Sequence, residues 1–184
     1  MRLLLHICCA SCLLYPLEVL RGKGFEVEGV FYNPNIHPWQ EYNKRKEALE
    51  KFCELNSLTL EVPAYAPEEF FRQVNFNEQL PQRCQRCFSL RMNAVARLAK
   101  DKGFDGFSTT LLVSPYQDHQ VLKLACEDAA RQEGIVFYYE DFRVGFRSAH
   151  QKARQLGIYC QNYCGCIYSE IERFKKKNKY ARVS

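Results

Sequence analysis

Short apolar runs alternate along the chain with longer segments in which apolar residues recur at helical spacing. The short runs predict buried strands over residues 3–7, 27–32, 58–62, 105–109 and 135–139. Between them, apolar side chains three and four positions apart mark one face of a helix. This spacing predicts helices over residues 39–56, 87–100 and 118–133. Glycines at positions 22, 24, 103, 134 and 157 stand where helices are expected to end.

Strands that alternate with helices predict βαβ units and hence an α/β fold. We expect a parallel sheet of about five strands, flanked by helices in a Rossmann-like three-layer sandwich. Ligands of such sheets bind beyond the carboxyl ends of the strands. The cysteines at positions 8, 9 and 12 follow the first predicted strand, so they lie where a site is expected.

Composition narrows the class of protein. The chain has 184 residues, of which 47% are hydrophobic and 26% are charged, values typical of one folded domain with at most a short appendage. No apolar run approaches the roughly 20 residues that span a bilayer. The apolar stretch near Met1 is too short for a signal peptide and lacks a cleavage site. We therefore expect a cytoplasmic protein with no membrane partner.

The positive charge is concentrated at the end of the chain. The net charge is +5, yet six basic residues and no acidic one follow position 172, which leaves residues 1–172 with a net charge of −1. We therefore divide the chain into a domain over residues 1–172 and a basic tail over residues 173–184. Such a tail suits a phosphate backbone, and the alternative is a solvated helix that aids solubility.

Seven of the ten cysteines form three groups, namely Cys8, Cys9 and Cys12, then Cys84 and Cys87, then Cys164 and Cys166. In a turn after a strand, the adjacent thiols of Cys8 and Cys9 can converge. The CxxC of the second group lies near the start of a helix. We expect the helix N-terminus, together with Arg83 and Arg86, to lower the pKa values of its thiols. Four thiolates suit a tetrahedral zinc ion or an iron–sulfur cluster, and the pattern favours the cluster because structural zinc sites usually pair two CxxC motifs.

The remaining cysteines carry less definite interpretations. Cys164 and Cys166 flank a glycine, and a disulfide this short is strained and tends to be redox-active. The alternatives are further metal ligands or two unreactive thiols. Cys12 is interpreted as a metal ligand, an exchangeable redox thiol or part of the first helical turn. Cys53 and Cys126 lie on apolar helix faces as core residues, and Cys160 stays unassigned.

Polar residues follow the fourth predicted strand. Tyr116, Asp118 and His119 are candidate proton donors, although Asp118 is equally typical of a helix N-cap. The sequence contains no GxxxxGK[ST], GxGxxG or HExxH motif, so it carries none of the standard signatures for nucleotide hydrolysis, dinucleotide binding or zinc proteolysis.

Four motifs, read in order, resemble one protein family. HICCASC at residues 6–12, RCQRC at 83–87, STTLLVSPYQ at 108–117 and QNYCGCIYS at 161–169 are similar to the QueH family. Its members are cobalamin-independent epoxyqueuosine reductases of tRNA queuosine biosynthesis. The motifs span nearly the whole chain, and their combination is far more specific than any one of them.

The resemblance implies a HUP-type α/β fold and a [4Fe–4S] cluster held by Cys8, Cys9, Cys84 and Cys87. It implies removal of the epoxide oxygen of epoxyqueuosine at the tRNA wobble position, with electrons from an external donor that the sequence does not identify. It also suggests redox chemistry at the third group of cysteines. Ser11 departs from the proline usual in the family, which leaves the role of Cys12 open. In some relatives an additional iron lies beside the cluster, with Cys12, Cys164 or Cys166 as its candidate ligands.

Two rival functions follow from the same residues. A non-catalytic zinc module could bind RNA through the tail and hold its metal with Cys84, Cys87 and two other cysteines. A tRNA sulfur-transfer enzyme of similar fold would need a loop rich in serine and glycine after the first strand, and CCASC stands there instead. The identity of the metal separates the zinc module from the reductase.

Overall fold

A computed structural model describes the backbone of residues 1–180 and the side chains of residues 1–175. Its centre is one parallel sheet of five strands in the order β3-β2-β1-β4-β5. The strands are β1 Arg2–His6, β2 Glu26–Val30, β3 Leu60–Glu61, β4 Gly106–Thr109 and β5 Val136–Phe137. All five predicted strands are confirmed, and the two at the edges are only two residues long.

Seven α-helices are present in the described residues. They are α1 Ala10–Gly22, α2 Trp39–Leu55, α3 Pro67–Val74, α4 Gln82–Asp101, α5 His119–Glu133, α6 Phe146–Gln155 and α7 Ile167–Tyr180. The three predicted helices are confirmed as α2, α4 and α5, but α4 begins five residues earlier than expected. None of the helices in the described residues is both long and apolar enough to cross a membrane.

The central strand explains why the sheet forms. Leu3, Leu4 and Leu5 of β1 are all at most 1% exposed, because β1 lies between β2 and β4 and is covered on both faces. Gly29 of β2 lies directly beside β1, where a Cβ atom would come within 2.6 Å of Ile7 Cδ1. Gly29 thus leaves room for the end of the Ile7 side chain, which would have to shift to accommodate a Cβ.

The C-terminal helix crosses the predicted boundary between the domain and the basic tail. α7 runs from Ile167 to Tyr180, so the predicted boundary at residue 172 lies inside a helix. Arg83 of α4 donates two hydrogen bonds to Glu172, at 2.9 and 3.0 Å, which fixes the first turns of α7 to the domain. The side chains of residues 176–184, which carry most of the basic tail, lie outside the described residues. A separate role for the tail stays a prediction.

Candidate functional site

The first group of cysteines lies at the carboxyl end of the sheet, as predicted. Cys8 and Cys9 follow β1 directly, and Cys9 is the N-cap of α1. The neighbouring strand β4 is followed by Thr110, whose hydroxyl accepts a hydrogen bond from the backbone N–H of Cys8 at 3.2 Å. The same hydroxyl lies 3.5 Å from Cys8 Sγ. The strand end and the start of α1 thus determine where these thiols point.

The thiols of Cys8, Cys9 and Cys12 converge. The sulfur atoms of Cys8 and Cys9 are 3.7 Å apart, and those of all three cysteines lie within 4.8 Å of one another. All three residues are buried. The predicted convergence of the first two is confirmed. The structure adds Cys12, which reaches the same point because α1 begins immediately after Cys9.

Three thiols this close cannot ionise independently. Burial opposes ionisation of Cys9, but hydrogen bonds with Cys12 and Cys8 and the nearby Arg45 guanidinium hold its pKa below that of a free thiol. The pKa of Cys12 is raised, because its hydrogen bonds with Cys8 and Cys9 and its burial favour the protonated form. A bound cation that balances the charge of all three thiolates would remove the mutual repulsion that keeps them from ionising together.

Ser11 links the first group of cysteines to the fourth motif. Its hydroxyl oxygen lies 3.4 Å from Cys9 Sγ and donates a hydrogen bond to Gln161 Oε1 at 3.2 Å. The amide nitrogen of Gln161 in turn lies 3.5 Å from Cys12 Sγ. The residue at which the sequence departs from the family pattern therefore belongs to the hydrogen-bond network around the thiols.

The second group lies beside the third rather than at an exposed helix end. The thiols of Cys84 and Cys87 both interact electrostatically with those of Cys164 and Cys166. Cys87 and Cys166 belong to one small buried cluster. Burial raises the pKa of Cys84 to about 11 and that of Cys87 to about 12.

The expected lowering of these two pKa values is therefore wrong. Cys84 and Cys87 are the third and sixth residues of α4. The helix dipole acts mainly within the first turn, and Cys87 lies beyond that turn. Arg83 does lower the pKa of Cys84, but burial is the larger effect. Its guanidinium is also paired with Glu172.

The Cys-Gly-Cys segment depends on its glycine. Gly165 has φ of 146°, in the region that residues with a Cβ rarely adopt. A Cβ there would meet Asn35 Nδ2 and Ile36 Cγ1 at 3.1 Å each. The Gly165 carbonyl accepts a hydrogen bond from the His37 backbone N–H at 2.8 Å, which joins the segment to the loop after β2. The predicted need for glycine is confirmed.

The two thiols of this segment differ in exposure. Cys164 is exposed and accepts a hydrogen bond from Gln117 Nε2 at 3.4 Å, whereas Cys166 is buried. All ten cysteines are free, so Cys164 and Cys166 are present as two thiols, and their redox activity stays a prediction. A pair with one accessible and one protected thiol suits exchange chemistry, in which the accessible sulfur reacts first.

Two buried arginines, which the sequence interpretation missed, lie behind the thiols. Arg45 of α2 has no exposed surface and is paired with Glu41 at 2.7 Å. It also donates hydrogen bonds to the backbone carbonyls of Tyr163 and Cys164, at 3.0 and 2.9 Å. Its charge lowers the pKa of Cys9. Arg45 thus connects the third group of cysteines to the first.

Arg91 of α4 is the second buried arginine and is 1% exposed. It donates a hydrogen bond to Asn33 Oδ1 at 2.6 Å, and its Nη2 lies 3.3 Å from His6 Nε2. Burial and the Arg91 charge lower the pKa of His6 to about 3, so His6 is neutral. Among the described residues, no carboxylate forms an ion pair with Arg91. Its charge also lowers the pKa of Cys87.

Comparison with known proteins now identifies the family. The family model described as "Epoxyqueuosine reductase QueH" matches residues 3–172. The chain belongs to the QueH family. Epoxyqueuosine reductase QueH of Dehalococcoides mccartyi is 39% identical over 98% of each chain. The protein of the same name from Thermotoga maritima is 35% identical over 98% of this chain and 95% of its own. The resemblance in the four motifs is therefore confirmed, and with it membership in a family of oxidoreductases.

Two solved structures share the fold of this QueH family member. U34-tRNA thiolase NcsA from Methanococcus maripaludis, solved with its [4Fe–4S] cluster, superposes with a TM-score of 0.60 at 13% identity, covering 100% of this chain and 68% of its own. A predicted subunit of tRNA methyltransferase from Methanocaldococcus jannaschii superposes with a TM-score of 0.58 at 9% identity, covering 84% and 74%. At these identities the likeness concerns the fold, and the predicted α/β fold class is confirmed.

The candidate proton donors of this QueH family member lie along the segment that leads into α5. Asp118 is the N-cap of α5 and accepts a hydrogen bond from the Val121 backbone N–H at 3.1 Å, which confirms its capping interpretation. His119 Nε2 lies 3.1 Å from the Leu112 carbonyl oxygen. Tyr116 is 84% exposed. Their catalytic roles stay predictions.

The isolated cysteines of the chain occupy the positions that their helices suggest. Cys53 and Cys126 are buried in the core, as predicted. Burial raises the pKa of Cys53 to about 12. Cys160 is half-buried, and its thiol donates to the Ile158 carbonyl at 3.5 Å. None of the three belongs to the group of convergent thiols.

Proposed function

We propose that this chain is an epoxyqueuosine reductase that acts on tRNA carrying epoxyqueuosine at the wobble position. The observation that carries the proposal is the QueH match over residues 3–172, and the convergent thiols of Cys8, Cys9 and Cys12 at the carboxyl end of the sheet support it. Both C–O bonds of the epoxide break, a carbon–carbon double bond forms, and the oxygen leaves as water after uptake of two electrons and two protons. Because the substrate is a tRNA, we place the reaction in the cytoplasm.

The residues present fit a [4Fe–4S] cluster. The convergent group consists of buried thiols alone, with no imidazole or carboxylate ligand among them. We assign the cluster to Cys8, Cys9, Cys84 and Cys87, the ligand set that the family resemblance implies, although Cys84 and Cys87 lie outside the convergent group of Cys8, Cys9 and Cys12. When bound, such a cluster transfers electrons one at a time. Cys12 is then the thiol left beside Cys8 and Cys9, available as a ligand to an additional iron.

The chain's own thiols supply the second part of the chemistry. Cys164 and Cys166 together give up two electrons and two protons when they form a disulfide, which equals what the epoxide takes up. An external reductant, whose identity is open, then restores both thiols. We assign proton delivery to the departing oxygen to Asp118, His119 or Tyr116, which follow β4 at the same edge of the sheet.

Metal content tests the cofactor assignment. Protein purified without oxygen should contain about four iron and four acid-labile sulfide per chain. Cys84→Ser should lower both values, whereas Cys53→Ser, a buried thiol outside the site, should leave both unchanged. The same wild-type preparation should convert epoxyqueuosine to queuosine in tRNA, as judged by mass spectrometry of the nucleosides. One zinc per chain, no sulfide and no conversion would instead establish the non-catalytic zinc-binding module.

A further inference from the structure

One face of α6 is strongly basic without any structural need for it. The helix Phe146–Gln155 carries Arg147, Lys152 and Arg154 and no acidic residue. All three are exposed, and in the described part of the chain none of them forms an ion pair with a carboxylate. The opposite face is the one that packs, because Ala149 and Ala153 are buried in a cluster with Leu14 of α1. The three cations are therefore free to bind an anionic partner.

This basic face begins beside the thiol site. The ring of Phe146, the first residue of α6, contacts the ring of Tyr116, with 5.7 Å between their centroids. Tyr116 is 84% exposed, and the next residue, Gln117, donates a hydrogen bond to Cys164 Sγ at 3.4 Å. His150 on α6 interacts electrostatically with Cys8. An exposed aromatic ring thus stands between the basic helix and the reactive thiols.

The surroundings hold this arrangement in place and do not neutralise it. The backbone of Gly145, just before α6, lies so close to the ring of Tyr15 that a Cβ would come within 2.1 Å of it. This close approach fixes the start of the helix against α1. The nearby carboxylate of Asp141 is bonded to the Arg143 guanidinium at 2.8 Å, and Asp118 caps α5. These two carboxylates are thus already engaged, whereas Glu18 and Glu47 line the same cavity as Lys152 without forming an ion pair with it.

We infer that Tyr116 and the basic face of α6 bind the anticodon arm of the substrate tRNA. Arg147, Lys152 and Arg154 contact backbone phosphates along a helix about 15 Å long. Tyr116 stacks on an unpaired base beside the reacting nucleotide, since single-stranded RNA loops are recognised through stacking on aromatic side chains. The inference rests on the proposed function, which supplies the tRNA, and it assigns the contacts to an element other than the basic tail.

Charge removal on two different faces tests the phosphate contacts. The variant R147Q/K152Q/R154Q removes the three cations of α6. The control R97Q/K100Q/R131Q removes three exposed cations on α4 and α5, none of which lines the cavity that Lys152 shares with Lys44 and Lys51. Both variants lose the same net charge, and glutamine preserves helix propensity. Binding of tRNA to the iron-loaded proteins is measured between 50 and 300 mM salt.

The α6 variant should reduce the slope of log affinity against log salt by about two to three. The loss of the same phosphate contacts should lower the affinity for tRNA at 0.1 M salt about a hundredfold. The control should keep the wild-type slope. Equal losses in the two variants would show that only net charge matters, and an unchanged slope in the α6 variant would show that the helix does not contact tRNA. Either result overturns the inference.

Tyr116 is tested by separating its ring from its hydroxyl. Tyr116→Ala should lower kcat/KM for the modified tRNA about tenfold, and Tyr116→Phe should retain most of it, because stacking requires only the ring. If both variants lose activity equally, the reaction depends on the Tyr116 hydroxyl, and the stacking role is wrong. Unchanged iron and sulfide content verifies that the variants are intact. A wild-type protein that neither binds nor converts the tRNA would refute the proposed function itself, whereas normal wild-type conversion with unaffected variants would refute this surface alone.

Discussion

Replacing Arg91 by methionine should shift stability in opposite directions in the cluster-free and the cluster-loaded protein. Arg91 is 1% exposed, and its polar contacts are Asn33 and His6. Its Nε atom has no hydrogen-bond partner, and no carboxylate of the described chain pairs with it. The thiol of Cys87, one helical turn earlier, is protonated in the cluster-free protein because burial raises its pKa to about 12. The cation therefore lacks an anion until thiolates form.

The magnitude follows from two opposing effects. Burial of an unpaired charge costs several kcal/mol, and a hydrogen bond to a charged group returns about 1.5–3 kcal/mol. Removing the charge should thus stabilise the cluster-free protein by about 1–2 kcal/mol. In the loaded protein, the Cys87 thiolate lies at i−4, where Cβ atoms are about 5–6 Å apart. Unit charges about 6 Å apart at an effective dielectric constant of 20 interact by about 3 kcal/mol. After subtraction of the gain of about 1–2 kcal/mol from removing the buried charge, the loaded protein should lose about 1–2 kcal/mol.

The assay is urea unfolding of both forms under anaerobic conditions, with Arg45→Met as the matched control. Arg45 is equally buried but paired with Glu41, so its loss leaves a buried carboxylate and should destabilise the cluster-free form too, by about 3–5 kcal/mol. The loaded form, in which Arg45 also lies near the Cys9 thiolate, should lose at least as much. If Arg91→Met also destabilises both forms by similar amounts, Arg91 is a structural residue and the reasoning is wrong. As an independent readout, Arg91→Met should make the midpoint potential of the loaded protein more negative, because a positive charge favours the reduced state.

Three further results should follow from the site. Replacing both Cys164 and Cys166 by serine should abolish turnover while leaving the visible absorption of the cluster, and undiminished turnover would refute the dithiol role. Gly165→Ala should cost about 1–3 kcal/mol in urea unfolding, because φ is 146° there and neighbouring atoms lie 3.1 Å from the added carbon. Burial lowers the pKa of His37 to about 4, below the 6.5 of an unfolded histidine. The contribution of His37 to stability is therefore complete above pH 6.5 and is lost as the pH falls toward 4, by about 3 kcal/mol at most. His37→Phe should flatten this part of the stability profile of the cluster-free protein, and an unaltered profile would show that other groups cause it.

The sheet could be predicted from sequence because its strands are buried on both faces. A strand covered by helices on either side needs an unbroken apolar run, and Leu3, Leu4 and Leu5 provide it. The order of the strands in the sheet could not be predicted in this way. It depends on which side of β1 each crossover connection places the next strand, and no single run of residues records that choice.

Helices were predicted where several apolar turns repeat and were missed or shortened elsewhere. The first turn of α4 follows Pro81, lacks a side-chain cap and is mostly polar. It therefore contains no repeat of apolar residues from which a helix start at Gln82 could be predicted. α3 is eight residues long with two buried residues, Phe70 and Val74. These two nevertheless pack beside Cys87 and Cys166. A short helix thus forms part of the site wall without a sequence signal of its own.

The convergence of Cys8 and Cys9 could be predicted, but the electrostatics of the thiols could not. Cys8, Cys9 and Cys12 converge through local geometry, at the end of a strand and the start of a helix, which five consecutive residues encode. The charge around them comes from distant residues, since Arg45 reaches the Cys164 carbonyl across 119 positions of the chain. A basic residue on a helix is ordinarily solvent-exposed, and nothing adjacent to Arg45 or Arg91 in sequence shows that each is buried. The same reason explains the wrong sign expected for the CxxC pKa values: the helix N-terminus is visible in the sequence, whereas the burial that outweighs it is a property of the packed chain.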